Sequence, residues 1–290
     1  MTPSEIIDKG DKLLYSTSDL DKRIYKRLIK FLANNSIGGK VSVSNEDLAQ
    51  IEDIIYNEVK DSNYEENISK YLALITALEN SISQQQYDIN RIKAQSIKDM
   101  WANNSLREGL VGKIVYGLGA GGIKDYFVKG LAQVIRDASY FNLTIDDAVD
   151  KLSKVLIDDE YTNRYLRQTS NDALSQYQGA MNDAVRVAYD LSDLIYVGNT
   201  IETTRPICAH IRDNLKGRIT GEQLKSTLQE YCPNGIPSDK RITYKTITGE
   251  EHTAKKGSGM IEGTRYDNFG QLRGGYACRH EAIWVRPFKK

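Results

Sequence analysis

Residues 68–82 read ISKYLALITALENSI. Ile68, Leu72, Ile75, Leu78 and Ile82 recur at steps of three and four, a spacing that gathers them on one face of an α-helix. The stripe runs on to Ile89 and Ile92. Between Pro3 and Pro206 the chain has no proline. Proline removes a helical hydrogen bond and clashes with the preceding turn, so a gap of that size admits long uninterrupted helices.

Stripes of the same kind lie on both sides of this stretch. Thr2-Pro3-Ser4-Glu5 supplies an N-cap, a proline at the first helical position and an acid at the third. Ile24, Leu28, Phe31 and Leu32 continue the apolar pattern until SIGGKVSVSN (36–45) breaks it. Ser44 with Asp47 forms a second capping pair, ahead of Leu48, Ile51, Ile55 and Val59. Thr144-Ile145-Asp146-Asp147 opens a further helix. The last begins near Asn163 and shows Leu174, Tyr177, Met181, Ala184, Ala188 and Leu191. These stripes read as helix-to-helix core rather than as a cofactor site. The sequence predicts a mainly α-helical region of long amphipathic helices over residues 1–190.

From Asp193 the texture changes. LIYVGNTI (194–201) is β-like, and PICAHIRDN (206–214) fits one short helix with Pro206 in its first turn. Thr220 with Gln223 caps a second helix, and YCPNGIPSDK (231–240) is rich in turn formers. RITYKTITGEEHTA (241–254) alternates around Thr248-Gly249, a hairpin pattern, and EAIWVRPF (281–288) reads as a closing strand. The prediction is a small α+β domain over residues 191–290.

Forty per cent hydrophobic residues suffice for a core, and 27% charged residues is ordinary. No apolar run reaches bilayer-crossing length, and MTPSEIIDKGDKLL lacks the basic-then-apolar layout of a secretory signal, so no membrane partner is expected. Three cysteines make no disulfide framework, which points to synthesis in a reducing cytosol. Net charge is zero, yet residues 191–290 carry 16 Lys/Arg against 11 Asp/Glu, a net of +5, leaving −5 on the rest. A mildly basic domain suits an acidic partner or nucleic acid, and equally an ordinary solvated surface.

VYGLGAGGIKDYFVKGL (115–131) holds Gly117, Gly119 and Gly122 in a G-x-G-x-x-G pattern. A dinucleotide site also needs a strand before the glycines, a helix after them and an acid about twenty residues on. LREGLVGKIVY suits a helix as well as a strand, YFNLTIDDAVDKL reads as loop and helix cap, and no βαβ series follows. The stretch is read as helix, glycine-rich turn, helix.

Cysteine and histidine are absent from the first 207 residues. Cys208 and His210 stand in TTRPICAHI (203–211), Cys278 and His280 in GGYACRHEAIWV (274–285). These four offer the sulfur and nitrogen atoms that hold structural zinc, with Cys232 as a spare. On an extended segment Cys278 and His280 point the same way. On a helix Cys208 and His210 lie about 200° apart, so only one faces a shared metal. The alternatives are small buried core cysteines with hydrogen-bonded histidines, or a Cys208–Cys278 disulfide, which a cytosolic setting disfavours. A further alternative is a Cys278 nucleophile with His280 or His210 as base and Glu202 or Glu281 as orienting acid. Arg205 precedes a proline and is pushed towards extended backbone. Arg279 would point away from Cys278 and His280. Both guanidiniums suit bidentate pinning of carboxylates, carbonyl-rich turns or phosphate, and Gly274-Gly275 allow a tight turn or close approach.

The order of these elements resembles the C-terminal domain of phage minor head proteins, the Mu F-like head-morphogenesis family. The residues that carry the resemblance are LIYVGN, then Thr204-Arg205-Pro206-x-Cys208, then Lys216-Gly217-Arg218 leading into a short helix, then Gly274-Gly275-Tyr276-x-Cys278-Arg279-His280 and a terminal strand. It covers about residues 170–290. Members typically carry Arg-Pro-x-Cys or Arg-Pro-x-His and end in Asn-Cys-Arg-Cys or Asn-Cys-Arg-His. Here Ala277 stands where Asn is common, and the 238–272 insertion is long. The resemblance implies a low-copy virion component near the portal vertex of a phage head, made in the cytoplasm of the infected bacterium. On that reading the helical region binds the portal protein, capsid components or its own copies. The basic domain is then an adaptor locked by its two Cys/Arg motifs and touching DNA non-specifically, with no turnover and no cofactor beyond a structural zinc. Two other classes stay open: a packaged enzyme or effector, either nuclease-like and metal-assisted or a cysteine-dependent hydrolase, and a self-assembling helical scaffold.

Overall fold

The computed structural model describes residues 1–15, 20–60, 64–158, 161–198, 205–246, 249–273 and 280–288. Helices dominate up to residue 188: α1 (Pro3–Tyr15), α2 (Leu20–Asn34), α3 (Asn45–Lys60), α4 (Tyr64–Asn90), α5 (Ala94–Ala102) and α6 (Ser105–Leu118). A one-turn α7 (Ala120–Gly122) continues through a π-helical stretch (Ile123–Val128) into α8 (Lys129–Tyr140). Then come α9 (Ile145–Ser153), extended by a second π-helical stretch (Lys154–Asp158), and α10 (Tyr161–Ala188). A hairpin of β1 (Ser36–Ile37) and β2 (Lys40–Val41) separates α2 from α3. The rest is α+β: β3 (Asp193–Val197), α11 (Pro206–Asp213), β4 (Arg218–Ile219), α12 (Gly221–Tyr231), β5 (Arg241–Lys245), β6 (Glu251–Lys255), α13 (Phe269–Leu272) and β7 (Glu281–Val285). The chain is therefore mainly helical with a small α+β region at its end, the fold class that its periodicity predicts. Among the described residues no helix is long and apolar enough to cross a membrane.

The helix starts follow the capping residues. Thr2 Oγ1 accepts from Glu5 N at 3.3 Å while Glu5 Oε2 accepts from Thr2 N at 2.8 Å. Ser44 Oγ and Thr144 Oγ1 each accept from the backbone N–H three residues on, at 3.1 Å. Each such cap stabilises its helix by about 1 kcal/mol. The break at SIGGKV is a tight hairpin whose Gly38 and Gly39 have φ of 58° and 74°, the left-handed pair that a two-residue turn of this hand demands. Helices flank GLGAGG on both sides. At Gly119 a Cβ would stand 2.5 Å from the Val115 carbonyl oxygen, so the glycine lets the helical path close on itself.

Two compact units divide the chain, and they do not follow the 190/191 boundary. One comprises Lys9–Leu74 and Val111–Ser170, the other Met1–Asp8, Ile75–Leu110 and Asn171–Lys290. In the first, Ile24, Leu28 and Leu32 of α2 are buried, as are Ile51 and Ile55 of α3, Leu131 and Ile135 of α8 and Leu152 of α9. Buried Glu58 is paired by Arg23 and Arg27 at 3.2 and 2.6 Å. The short hairpin is held by Val41 N donating to Leu143 O and Ile145 N donating to Gly39 O.

In the second unit a three-stranded antiparallel sheet runs in the order β4-β3-β7, with Leu194 opposite both Ile219 and Trp284. A separate ribbon pairs β5 with β6, Thr243 facing Thr253. The unit's buried residues come from the strands (Leu194, Tyr196, Ile283, Trp284) and from the helices (Leu78, Ile82, Trp101, Tyr177, Met181). Polar groups embedded in the helical stripes explain the shifted boundary, because they bind the last strand. Asn90 Nδ2 donates to Trp284 O at 2.9 Å, and Gln85 and Gln178 both donate to Glu281 Oε1, at 2.9 and 2.6 Å. The same contacts correct two details of the stripes. α4 stops at Asn90, whose side chain also accepts from Arg286 N, and Arg91 turns left-handed at φ 58°, so Ile92 lies beyond the helix. α10 is buried all round from Tyr177 to Asp183, whereas Ala188 is exposed.

Candidate functional site

The sheet and α11 build a cleft in the second unit. Residues Arg205 to Pro206 set up α11 as the dipeptide requires: Arg205 is extended (φ −70°, ψ 154°) and Pro206 occupies the first turn. This aims Cys208 inward, 2% exposed, where its Sγ lies 3.4 Å from Tyr196 Oη of β3. The Tyr196 ring stacks on His280, centroids 4.9 Å apart and planes within 9°. Gly198 packs closely against His280, since a Cβ there would come within 2.8 Å of His280 Cα. Tyr196 thus joins a residue of the Arg-Pro-x-Cys segment to one of the segment that ends in His280. Cys278, Arg279, Gly274 and Gly275 of that second segment lie outside the described residues, as does Glu202.

The turn between α11 and β4 forms the opposite wall. Lys216 and Gly217 are both left-handed, at φ 52° and 70°. Gly217 O accepts from Tyr196 N at 2.8 Å, so a Cβ on Gly217 would collide with Tyr196 O. The cleft has a volume of about 510 Å³ and is lined by Tyr196, Val197, Cys208, Arg212, Lys216 and His280, with the two glycines.

Of the four candidate metal ligands, Cys208 and His280 line the cleft, and Cys278 lies outside the described residues. His210 faces away from Cys208, as its helical spacing requires. Its Nδ1 is 2.8 Å from Asn214 Nδ2 and its ring lies 5.2 Å from that of Tyr231. With the amide donating, Nδ1 is the acceptor nitrogen. Burial depresses the His210 pKa below the usual imidazole range, with Glu230 opposing and Lys256 adding. The neighbouring Tyr231 hydroxyl is pushed up to about 12 by burial. Cys232 is a buried thiol, raised by burial, at the end of α12. Among the described residues no three His, Cys, Asp or Glu cluster as metal ligands would. The Glu281 carboxyl is part-buried and pushed up by burial, and its Oε1 accepts from Gln85 and Gln178.

Arg279 lies outside the described residues, and the buried arginine pin among those described is one that the sequence reading missed. Arg205 lies against the 238–272 insertion, where a Cβ on Gly259 would stand 2.2 Å from Arg205 Nε. The buried pin is Arg273. Its Nε donates to Gly270 O at 2.8 Å, Nη1 to His280 O, and Nη2 to Ser175 O and, at 3.1 Å, to Gln178 Oε1. It therefore fastens α10, α13 and the approach to β7. The available signal was its place directly before Gly274-Gly275. Asp183 was missed as well. It accepts from Gly270 N, Gln271 N and Trp284 Nε1 at 3.0, 2.9 and 2.7 Å. Burial pushes its carboxyl up to about 7, against those three donors and nearby Arg186.

Comparison with protein-family models, curated proteins and solved structures finds no match to this chain.

Proposed function

We propose that the chain is a phage minor head protein of the Mu F-like kind, a virion component that binds at or near the portal vertex. The observation that supports this reading is that Cys208 and His280, one from each of the two motif segments of the resemblance, line one cleft and are bridged by Tyr196. On this reading the α+β module works by binding, as a compact adaptor assembled in the bacterial cytoplasm and retained in the head. The helical region supplies a surface for the portal protein, for capsid components or for further copies of the chain. Exposed Tyr140 and Phe141, an edge-to-face pair at the end of α8, suit such a surface. The excess of Lys/Arg over residues 191–290 suits non-specific contact with packaged DNA.

The test is co-expression of the tagged chain with the portal and capsid proteins of its source phage, followed by mass spectrometry of purified heads. The expected result is a few copies of the chain per particle and co-purification with the portal. Its absence from heads that assemble normally would overturn the proposal.

A further inference from the structure

We propose that β6 is a dimerisation edge, along which two copies of the chain pair strand to strand. Among the described residues the ribbon of β5 and β6 has no third strand. In an antiparallel pair, facing residues alternate between those that bond each other and those whose backbone groups point outward. Thr246 N donates to Glu250 O at 2.8 Å and Lys256 N to Lys240 O at 2.7 Å, so the even-numbered residues are the ones bonded across the ribbon. The backbone groups of Glu251, Thr253 and Lys255 therefore point away from β5. Lys255 O accepts from Ser258 N at 2.9 Å. The N–H and C=O of Glu251 and Thr253, and the N–H of Lys255, have no backbone partner among the described residues. All three residues are exposed, and no proline interrupts the strand. The matching edge of β5 is partly closed, because Lys245 O accepts from Arg212 Nη2 at 3.2 Å.

The charges along this edge fit a second copy of the same strand. Glu251, Thr253 and Lys255 share one face, because side chains alternate along a strand. Lay another β6 antiparallel beside the first, with a two-fold axis at Thr253. Thr253 then meets its own copy, Glu251 meets Lys255 of the second copy, and Lys255 meets the other Glu251. Opposite charges and threonine pairs at facing positions both stabilise a sheet. A register centred on Glu251 or on Lys255 would set like charges opposite each other, so the edge selects the one centred on Thr253. Within one chain Lys255 faces Arg241, a like charge, and the second copy brings a carboxylate to its other side. Lys255 Nζ lies 2.6 Å from Asp239 Oδ1, but both side chains are largely exposed, and such a pair is weakly held. The dimer carries a four-stranded sheet in the order β5-β6-β6-β5. Its middle row is four threonines, extending the contact of Thr243 Oγ1 with Thr253 Oγ1 at 3.0 Å.

A pair of five-residue strands is smaller than the about 1,000 Å² of a stable interface, so the dimer is a weak one. Sedimentation equilibrium of the purified full chain should show a monomer–dimer exchange over about 10–500 µM. Glu251→Lys and Lys255→Glu each place like charges opposite each other at both ends of the paired strands. Either variant alone should self-associate about tenfold more weakly or worse. Mixed in equal amounts, the two variants restore both opposite-charge pairs in a heterodimer, and association should return. Both substitutions fall on exposed side chains, and the thermal midpoint checks that each variant folds. The Thr253 amide should gain hydrogen-exchange protection as the wild-type chain is concentrated. A chain that stays monomeric throughout would overturn the inference. So would single variants that associate like the wild type, which would place the contact on another surface, or a mixture that fails to associate. The assay needs no head component, so its outcome is independent of the virion reading.

Discussion

The indole Nε1 of Trp284 donates to Asp183 Oδ1 at 2.7 Å, joining the last strand to α10 inside the core. Burial holds this carboxyl's pKa at about 7, whereas an unfolded aspartate titrates near about 3.9. The folded chain therefore carries the extra proton between those values. The stability that the group contributes is full below about pH 4 and declines as pH rises towards about 7. Glu281, also raised by burial, acts in the same sense. Urea midpoints should fall between about pH 5 and pH 7.5, and Asp183→Asn should flatten that slope while lowering stability. A midpoint that rises over this interval in the wild type would contradict the assignment.

Gly179 is predicted to tolerate no side chain. A Cβ there would stand 1.8 Å from Gly270 O, so α10 and α13 are in direct backbone contact. Gly179→Ala should destabilise by about 1–3 kcal/mol or more, as overpacking does. Gly109→Ala is the control. A Cβ at Gly109 meets no described heavy atom within 4 Å, and this residue sits inside α6, so alanine should add about 0.5–1 kcal/mol. Denaturant unfolding reads both.

Arg273 anchors three backbone carbonyls from inside the core, on a backbone with φ 40°. Arg273→Lys keeps the charge but loses the planar set of donors, leaving carbonyls of Ser175, Gly270 and His280 without that partner. The expected loss is about 3 kcal/mol, measured by denaturant unfolding. A variant as stable as the wild type would remove the pinning role.

His210 should not share a metal with Cys208, because two residues apart on α11 they point to different sides and the His210 ring lies against Tyr231. His210→Gln is expected to leave the metal content of the purified chain unchanged by elemental analysis. A stoichiometric metal lost in that variant would revive the four-ligand set.

The helical character up to residue 190, the caps and the strands β3, β5, β6 and β7 were legible because they rest on local rules: period, capping chemistry and turn residues. The boundary between units was not. It depends on Gln85, Asn90, Gln178 and Asp183, polar residues whose partners lie about a hundred or more positions away. Of the candidate site, the convergence of Cys208 with His280 could be anticipated from paired motifs. The intermediary, Tyr196, could not, since an aromatic in a strand reads as ordinary core. Arg273 escaped for a related reason: attention falls on the arginine between cysteine and histidine, while a neighbour six positions earlier binds the His280 carbonyl.

The central claim is that the Arg-Pro-x-Cys segment and the segment ending in His280 form one module through Tyr196. A double-mutant cycle between Cys208→Ala and His280→Ala, read by denaturant unfolding, tests it most directly. Shared packing on Tyr196 predicts a coupling of at least about 0.5 kcal/mol. Losses that simply add would contradict it.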